Sequence, residues 1–358
     1  MSQQSVQTSD GAFLSSKAIS ANFNELYAYA PINQTPNNYR NAIDGGDFQT
    51  NPWQRGTSFT GIANTITYGP DRFWAYGASS SAVQMVKTAN TNLAGFTQAL
   101  AFGRNTGTDV NPIYLGQTFE SADSFRFQGQ TVTFSFWAKA GANYSGGTVT
   151  VQVNTGITAL DGSAANQQAA GWTGPANPVA GSFTPTATMT RYQFTGTLGA
   201  AITQIGVMLF YTPTGTAGTA DNILFHGFQF EVGAYASPFE FKDVAVELEI
   251  AQRYFVQYNE PAAGVVIGAG LATASGVETI FIPLPVQMRK APTVTVSVGT
   301  FCVAVLATSV SAGTFAAGAT HTANAISVTA TAACTAGQSV LLIGGSGGTG
   351  TIKISAEY

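Results

Sequence analysis

Alternation of apolar and hydroxyl side chains is the feature that leaves this chain least choice of fold. From Thr131 to Phe136 the order is Thr, Val, Thr, Phe, Ser, Phe. Successive side chains of an extended chain point to opposite faces, so this order builds a ribbon that is apolar on one face and hydroxylic on the other. The same period returns over 148–153, 192–198 and 293–298. Helical spacing shows only near 15–31 and 240–253, with no helical period between the strand-like segments. Strands without crossover helices pair antiparallel, so the expected class is all-β.

With 358 residues the chain exceeds what one core ordinarily organises. Turn-bounded segments from 41 to 239 predict an antiparallel jelly-roll β-sandwich. Residues 157–188, rich in Ala, Gly, Ser, Gln and Pro, read as a long loop within it. A connector at 240–258 follows, helical or extended, with Val244, Leu248 and Ala251 on one face and Asp243 in the first turn. Residues 259–358 predict a second, smaller β-sandwich. Residues 1–40 form an N-terminal segment in which Ile19, Phe23 and Leu26 recur at helical spacing until Pro31. So short a helix needs a surface to pack on, either its own domain or a partner.

Charged residues are 9% of the chain, against roughly 25% in ordinary soluble domains. The 24 Phe, 13 Tyr and 4 Trp supply enough buried area to exclude disorder. Beyond residue 258 the only charged side chains are Glu260, Glu278, Arg289, Lys290, Lys353 and Glu357, so self-association is expected of that region. A net charge of −4 without a Lys/Arg cluster argues against nucleic acid. Lacking both an export-type leader and a long apolar run, the chain is expected to be made in a cytoplasm, with no membrane insertion. Cys302 and Cys334 read as small buried hydrophobes rather than a bridge.

Little in the sequence points to a reaction. His226 and His321 lack metal-ligand spacing, and no Gly-x-Ser-x-Gly elbow occurs. Asp44 with Asp47, and Glu120 with Asp123, offer the paired carboxylates of a glycosidase, but their Gly-rich or turn-like settings favour turn shaping. Aromatic faces that stack on sugar rings are the other candidates. Trp172, in the long loop, is the expected exposed one. Trp137 follows in phase with Thr133 and Ser135 on the polar face.

Six blocks occur in order: GGDFQTNPWQRG at 45–56, GPDRFWA at 69–75, QGQTVTFSFWAKAG at 128–141, RYQFTGTL at 191–198, FQFEVGAYASPFEFK at 228–242 and QRYF at 252–255. Together they resemble the signature of a bacteriophage virion-fibre family built on a carbohydrate-binding-module-like jelly roll. FIPLPVQMRKAPTVTVS at 281–297 and the final KISAEY are similar to the C-terminal domains of such fibres. The resemblance implies a non-enzymatic virion protein that attaches to host-surface glycan as a homotrimer. It implies Ile19, Phe23 and Leu26 in an anchor docking on other virion proteins, while Trp172 and Trp137 stay the glycan-stacking candidates by their residue type and setting alone. Trp53 and Trp74, which belong to the blocks, would pack the core. No cofactor is implied beyond a structural calcium held by Asp47 and Glu231, although Glu231 could instead pair with Arg72 or Arg55. The rival roles are a purely architectural one, as head decoration, head fibre or tail adaptor, and a glycan depolymerase.

Overall fold

A computed structural model describes residues 40–358 except 79–82, 91–92, 105, 158, 298, 300, 306–307, 312–313, 320 and 346–347. The stripe of Ile19, Phe23 and Leu26 therefore lies outside the described residues. The chain is nearly all β, as the alternation predicts, and every strand ladder is antiparallel.

Two six-stranded sheets form the jelly-roll sandwich. The first runs in the order β1 (Ser58–Ile62), β4 (Val83–Ala89), β5 (Gln98–Arg104), β12 (Asp221–Val232), β7 (Thr131–Ala140), β10 (Thr190–Thr197). The second runs β2 (Thr67–Tyr68), β3 (Phe73–Gly77), β6 (Ile113–Thr118), β11 (Ile202–Tyr211), β8 (Val149–Ile157), β9 (Ala176–Phe183). In β7 the apolar phase points inward. Phe134 lies opposite Phe230 on one neighbour and Phe194 on the other, and it stacks with Phe228 while Phe136 packs tilted against the same ring, in a core sealed from water.

Strand β7 begins at Thr131, where the alternation begins, after the short helix α1 (Ser121–Ser124) and a 3-10 turn at Phe125–Phe127. Two local expectations need correction. The expected loop at 157–188 contains the helix α2 (Ala164–Gln168) and the strand β9, whose edge position tolerates Pro178 because one side of an edge strand needs no backbone donor. The connector is the helix α3 (Val244–Gln252), capped by the Asp243 carboxylate accepting from Ala245 N at 2.8 Å. Its buried face is Glu247 and Ala251, whereas Val244 is 62% exposed and Leu248 is also exposed. Apolar spacing pointed the helix the wrong way because Glu247 turns inward to accept from Gly45 N at 2.8 Å, 3.8 Å from Lys242 Nζ.

A second core, drawn from 256–356, lies between two further sheets. One is β13 (Phe255–Asn259), β22 (Thr351–Ser355), β16 (Thr293–Ser297). The other has seven strands in the order β18 (Thr308–Ser311), β17 (Cys302–Val305), β21 (Ser339–Ile343), β14 (Val266–Ala274), β15 (Val277–Pro283), β20 (Ala325–Thr331), β19 (Thr314–Ala317). Cys302 and Cys334 are free thiols.

Two arginines from the sequence blocks join the regions. Arg72 lies 2.9 Å from Glu357 Oε2 and stacks on Tyr254, while Arg55 lies 3.0 Å from Glu357 Oε1 and stacks on Phe255. Arg289 stacks on Tyr358 and donates to Ala356 O. The chain end is thus held against the jelly roll by residues from WQRG, DRF and QRYF.

Candidate functional site

Strand alternation makes a second surface on the outside of the second sheet. Where Phe73, Ala75, Ile113, Leu115, Val207 and Leu209 fill the core, the intervening Trp74, Tyr76, Tyr114, Met208 and Phe210 must point outward. Register then aligns them. Tyr76 lies opposite Tyr114, Tyr114 opposite Phe210, Phe210 opposite Thr150 and Thr150 opposite Ser182. The Tyr76 and Tyr114 rings are 5.9 Å apart, and Tyr114 and Phe210 stack at 5.1 Å and 28°. All three rings are half-buried, so each keeps an accessible part.

The adjoining row runs Trp74, Gly116, Met208, Gln152. Trp74 is fully buried here, although outside the main core, in a small cluster with Ala164 and Met208. A Cβ at Gly116 would come within 2.4 Å of the Trp74 ring, so only glycine lets the indole lie across β6. Trp53, by contrast, is in the main core, as expected.

Helix α2 walls one side of this face. Gln167 accepts from Thr118 Oγ1 at 2.6 Å and donates to Asn154 Oδ1 at 3.0 Å and Val207 O at 3.1 Å, which satisfies a buried amide and pins the helix on the sheet. Trp172 corrects the sequence expectation. Only 5% exposed, it donates from Nε1 to Ser163 O at 3.2 Å and clamps the loop instead of presenting a free ring. It borders a recess of about 130 Å³ with Asn154, Asn166, Gln167 and Asn177. Burial raises the Tyr114 phenol, opposed by a hydrogen bond with Gln168, so at neutral pH Tyr114 is a protonated donor.

Trp137 lies on the outer face of the first sheet. Half-buried, it packs 5.6 Å from Phe96 and 6.3 Å from Phe239, with the Arg191 guanidinium 4.5 Å over its ring. A Cβ at Gly227, whose φ is +56°, would come within 2.7 Å of that indole. Below it His226 Nδ1 pairs with Gln98 O at 2.9 Å, leaving Nε2 buried without a partner. Burial pushes this imidazole down to about 4 from 6.5. The folded state therefore binds no proton where the unfolded state does, and stability present above pH 6.5 is lost as pH falls toward 4. The expected loss from this group is about 3 kcal/mol. His226→Gln, which keeps a donor toward Gln98 O, should flatten that part of the urea-midpoint profile; a profile identical to wild type would remove His226 as its cause.

The calcium pair does not fit a metal. Asp47 Oδ1 caps its own turn, accepting from Gln49 N, Thr50 N and Thr50 Oγ1. Both Glu231 oxygens are committed. Oε1 accepts from Gln229 and Ser237 N, while Oε2 accepts from Ser237 Oγ and lies 3.0 Å from Arg40 Nε. The arginine partner is thus Arg40 rather than Arg72 or Arg55, and a cation at Glu231 would have to displace a guanidinium. Among the described residues no group of three or more His, Cys, Asp or Glu is placed to hold a metal ion.

The other acidic candidates border a cleft of about 540 Å³ beside α3. Glu120 is occupied by Arg253 at 3.0 Å and the Tyr254 hydroxyl at 2.6 Å, and Asp44 by Arg72 at 3.3 Å and Lys242 at 3.4 Å. These carboxylates belong to the joint between the two cores.

No protein-family model matches the chain, and no curated protein matches it. Among solved structures it is similar to the CBM22-1 xylan-binding domain of Paenibacillus barcinonensis Xyn10C, at 16% identity over 49% of this chain and 99% of that one, TM-score 0.32. It is similar to the enzymatically active domain of bacteriophage CBA120 tailspike protein 4, at 13% identity over 54% of this chain and 22% of that one, TM-score 0.33. A putative sugar binding protein from Bacteroides thetaiotaomicron is 12% identical over 54% of this chain and 99% of that one, TM-score 0.32. Scores this low assign no ligand and no activity to this chain.

Proposed function

We propose that this chain is a glycan-binding surface protein of a bacteriophage virion, and that the outer face of its second sheet receives the sugar. The observation that carries the reading is the row Tyr76, Tyr114, Phe210, which continues across the ladder into Thr150 and Ser182. Half-exposed rings offer apolar faces to pyranose C–H groups, and the hydroxyls beside them bond the ring edge. Binding requires no chemical step. The ordered blocks that resemble virion fibres support the virion placement and the role of residues 1–40 as an anchor on other virion proteins.

Glycan-array binding tests the sugar site. Tyr114→Ala is expected to weaken the best signal by about tenfold or more, the effect of uncovering roughly one aromatic side chain, while Trp137→Ala leaves it unchanged. Equal binding by wild type and Tyr114→Ala would place the site elsewhere, and no signal at high valency would leave only the architectural role.

Homotrimeric assembly belongs to the same reading, since three linked copies multiply a weak affinity. Support comes from the outward face of the seven-stranded sheet, where Val266, Leu271, Val277, Phe281 and Leu341 are all exposed. Phe281 and Leu341 flank Ala269 in one row. Phe281→Asp should convert a trimer to monomer in sedimentation; a monomeric wild type would contradict this assembly.

A further inference from the structure

We infer that the aromatic platform takes the interior of a linear, uncharged polysaccharide rather than a chain end or an acidic glycan. This rests on the glycan-binding reading and adds which glycan. The first argument is charge. The two outward rows contain rings, glycine, methionine, hydroxyls and one amide, with no Asp, Glu, Lys, Arg or His. A carboxylate, sulfate or phosphate placed on this face would lose its hydration without gaining a cation, which is unfavourable.

The second argument is shape. The row from Tyr76 to Ser182 crosses five neighbouring strands, from β3 to the edge strand β9, so it extends over about 19 Å at the usual strand spacing. Beyond β3 lies only the two-residue β2. Helix α2 flanks the row at its side, through Gln167 on Thr118 and Asn154, one row beyond Trp74 and Gln152. Within the sheet no described strand continues the row past either end: β2 pairs with Trp74 and Ala75 rather than Tyr76, and Ser182 is exposed on the edge strand, so the sheet itself forms no blind pocket of the kind that recognises a terminal sugar. A ligand lying along it can therefore enter at one sheet edge and leave at the other.

The third argument is where specificity resides. Thr150, Gln152 and Ser182 follow the rings along the same face, neutral groups suited to hydroxyls spaced along a chain. Affinity should accordingly accumulate with ligand length.

The test uses the full chain and calorimetric titration with unbranched neutral β-glucan, mannan and xylan oligomers, each from disaccharide to octasaccharide. Alginate and hyaluronan oligomers serve as acidic probes. For the neutral backbone that binds, affinity is expected to rise by about tenfold or more with length and then level off. Chemical reduction of the reducing end should change it less than about twofold. A disaccharide binding as tightly as the octasaccharide, loss of binding on end reduction, or preference for the acidic oligomers would overturn the inference while leaving glycan binding intact. Absence of binding by every neutral and acidic oligomer would overturn both.

Discussion

Asp221→Ala is expected to lower the stability of the jelly roll by about 3–5 kcal/mol, the usual result of stranding one partner of a buried ion pair. Arg104 and Asp221 have no exposed side-chain surface. The guanidinium lies 2.7 Å from Asp221 Oδ2 through Nη2 and 2.9 Å through Nε, and its remaining donors reach Asp109 O, Gly215 O and Thr214 O. Asp221 also accepts from Ser145 N and Ser145 Oγ. The alanine variant removes the anion and leaves an ion that cannot neutralise, since arginine stays protonated. The paired change Arg104→Met with Asp221→Leu should recover only part of the loss, because three loop carbonyls still lose their donors. Urea unfolding followed by tryptophan fluorescence reads this directly, as all four tryptophans lie in the jelly-roll half. A decrease below about 1 kcal/mol would contradict the account.

Glu357→Ala should cost about 3 kcal/mol at the joint between the two cores. Its carboxylate serves both Arg55 and Arg72, whose side chains are largely buried. The lower end of the range applies because Arg55 keeps Asp71 at 3.2 Å and Arg72 keeps Asp44 and Thr118 O. Loss should appear as uncoupling, with the two halves unfolding at separate temperatures in calorimetry. Glu357→Gln, which keeps one acceptor oxygen for one arginine but turns an amide NH2 toward the other and carries no charge, should lie between wild type and alanine. A single transition unchanged in Glu357→Ala would show that the joint is held by other contacts.

Much of the architecture was legible because the period of two is a local property: β7, β8, β10 and β16 each show it in a few consecutive residues. The platform was not legible in the same way. Tyr76, Tyr114 and Phe210 sit in FWAYG, IYLGQT and ITQIGVMLFY, where each is one aromatic among apolar neighbours. Only the register of two ladders brings them into a row. A usable signal was the aromatic one step out of phase with the core residue before it in each strand: Tyr76 after Ala75, Tyr114 after Ile113 and Phe210 after Leu209. Trp172 misled because a tryptophan among Gly, Ala and Ser looks exposed, while the carbonyl of Ser163 that buries it belongs to the same loop. The arginines of WQRG and DRF were readable as conspicuous charges in an uncharged chain. Their partner Glu357 is 302 and 285 positions away, a distance no local pattern spans.

The central claim is best tested by a crystal structure with a bound neutral oligosaccharide. The account predicts pyranose rings lying over Tyr76, Tyr114 and Phe210, with hydroxyls toward Thr150, Gln152 or Ser182 and both ends of the sugar in solvent. Sugar on the Trp137 face of the first sheet, or in the cleft beside Glu120 and Arg253, would contradict it.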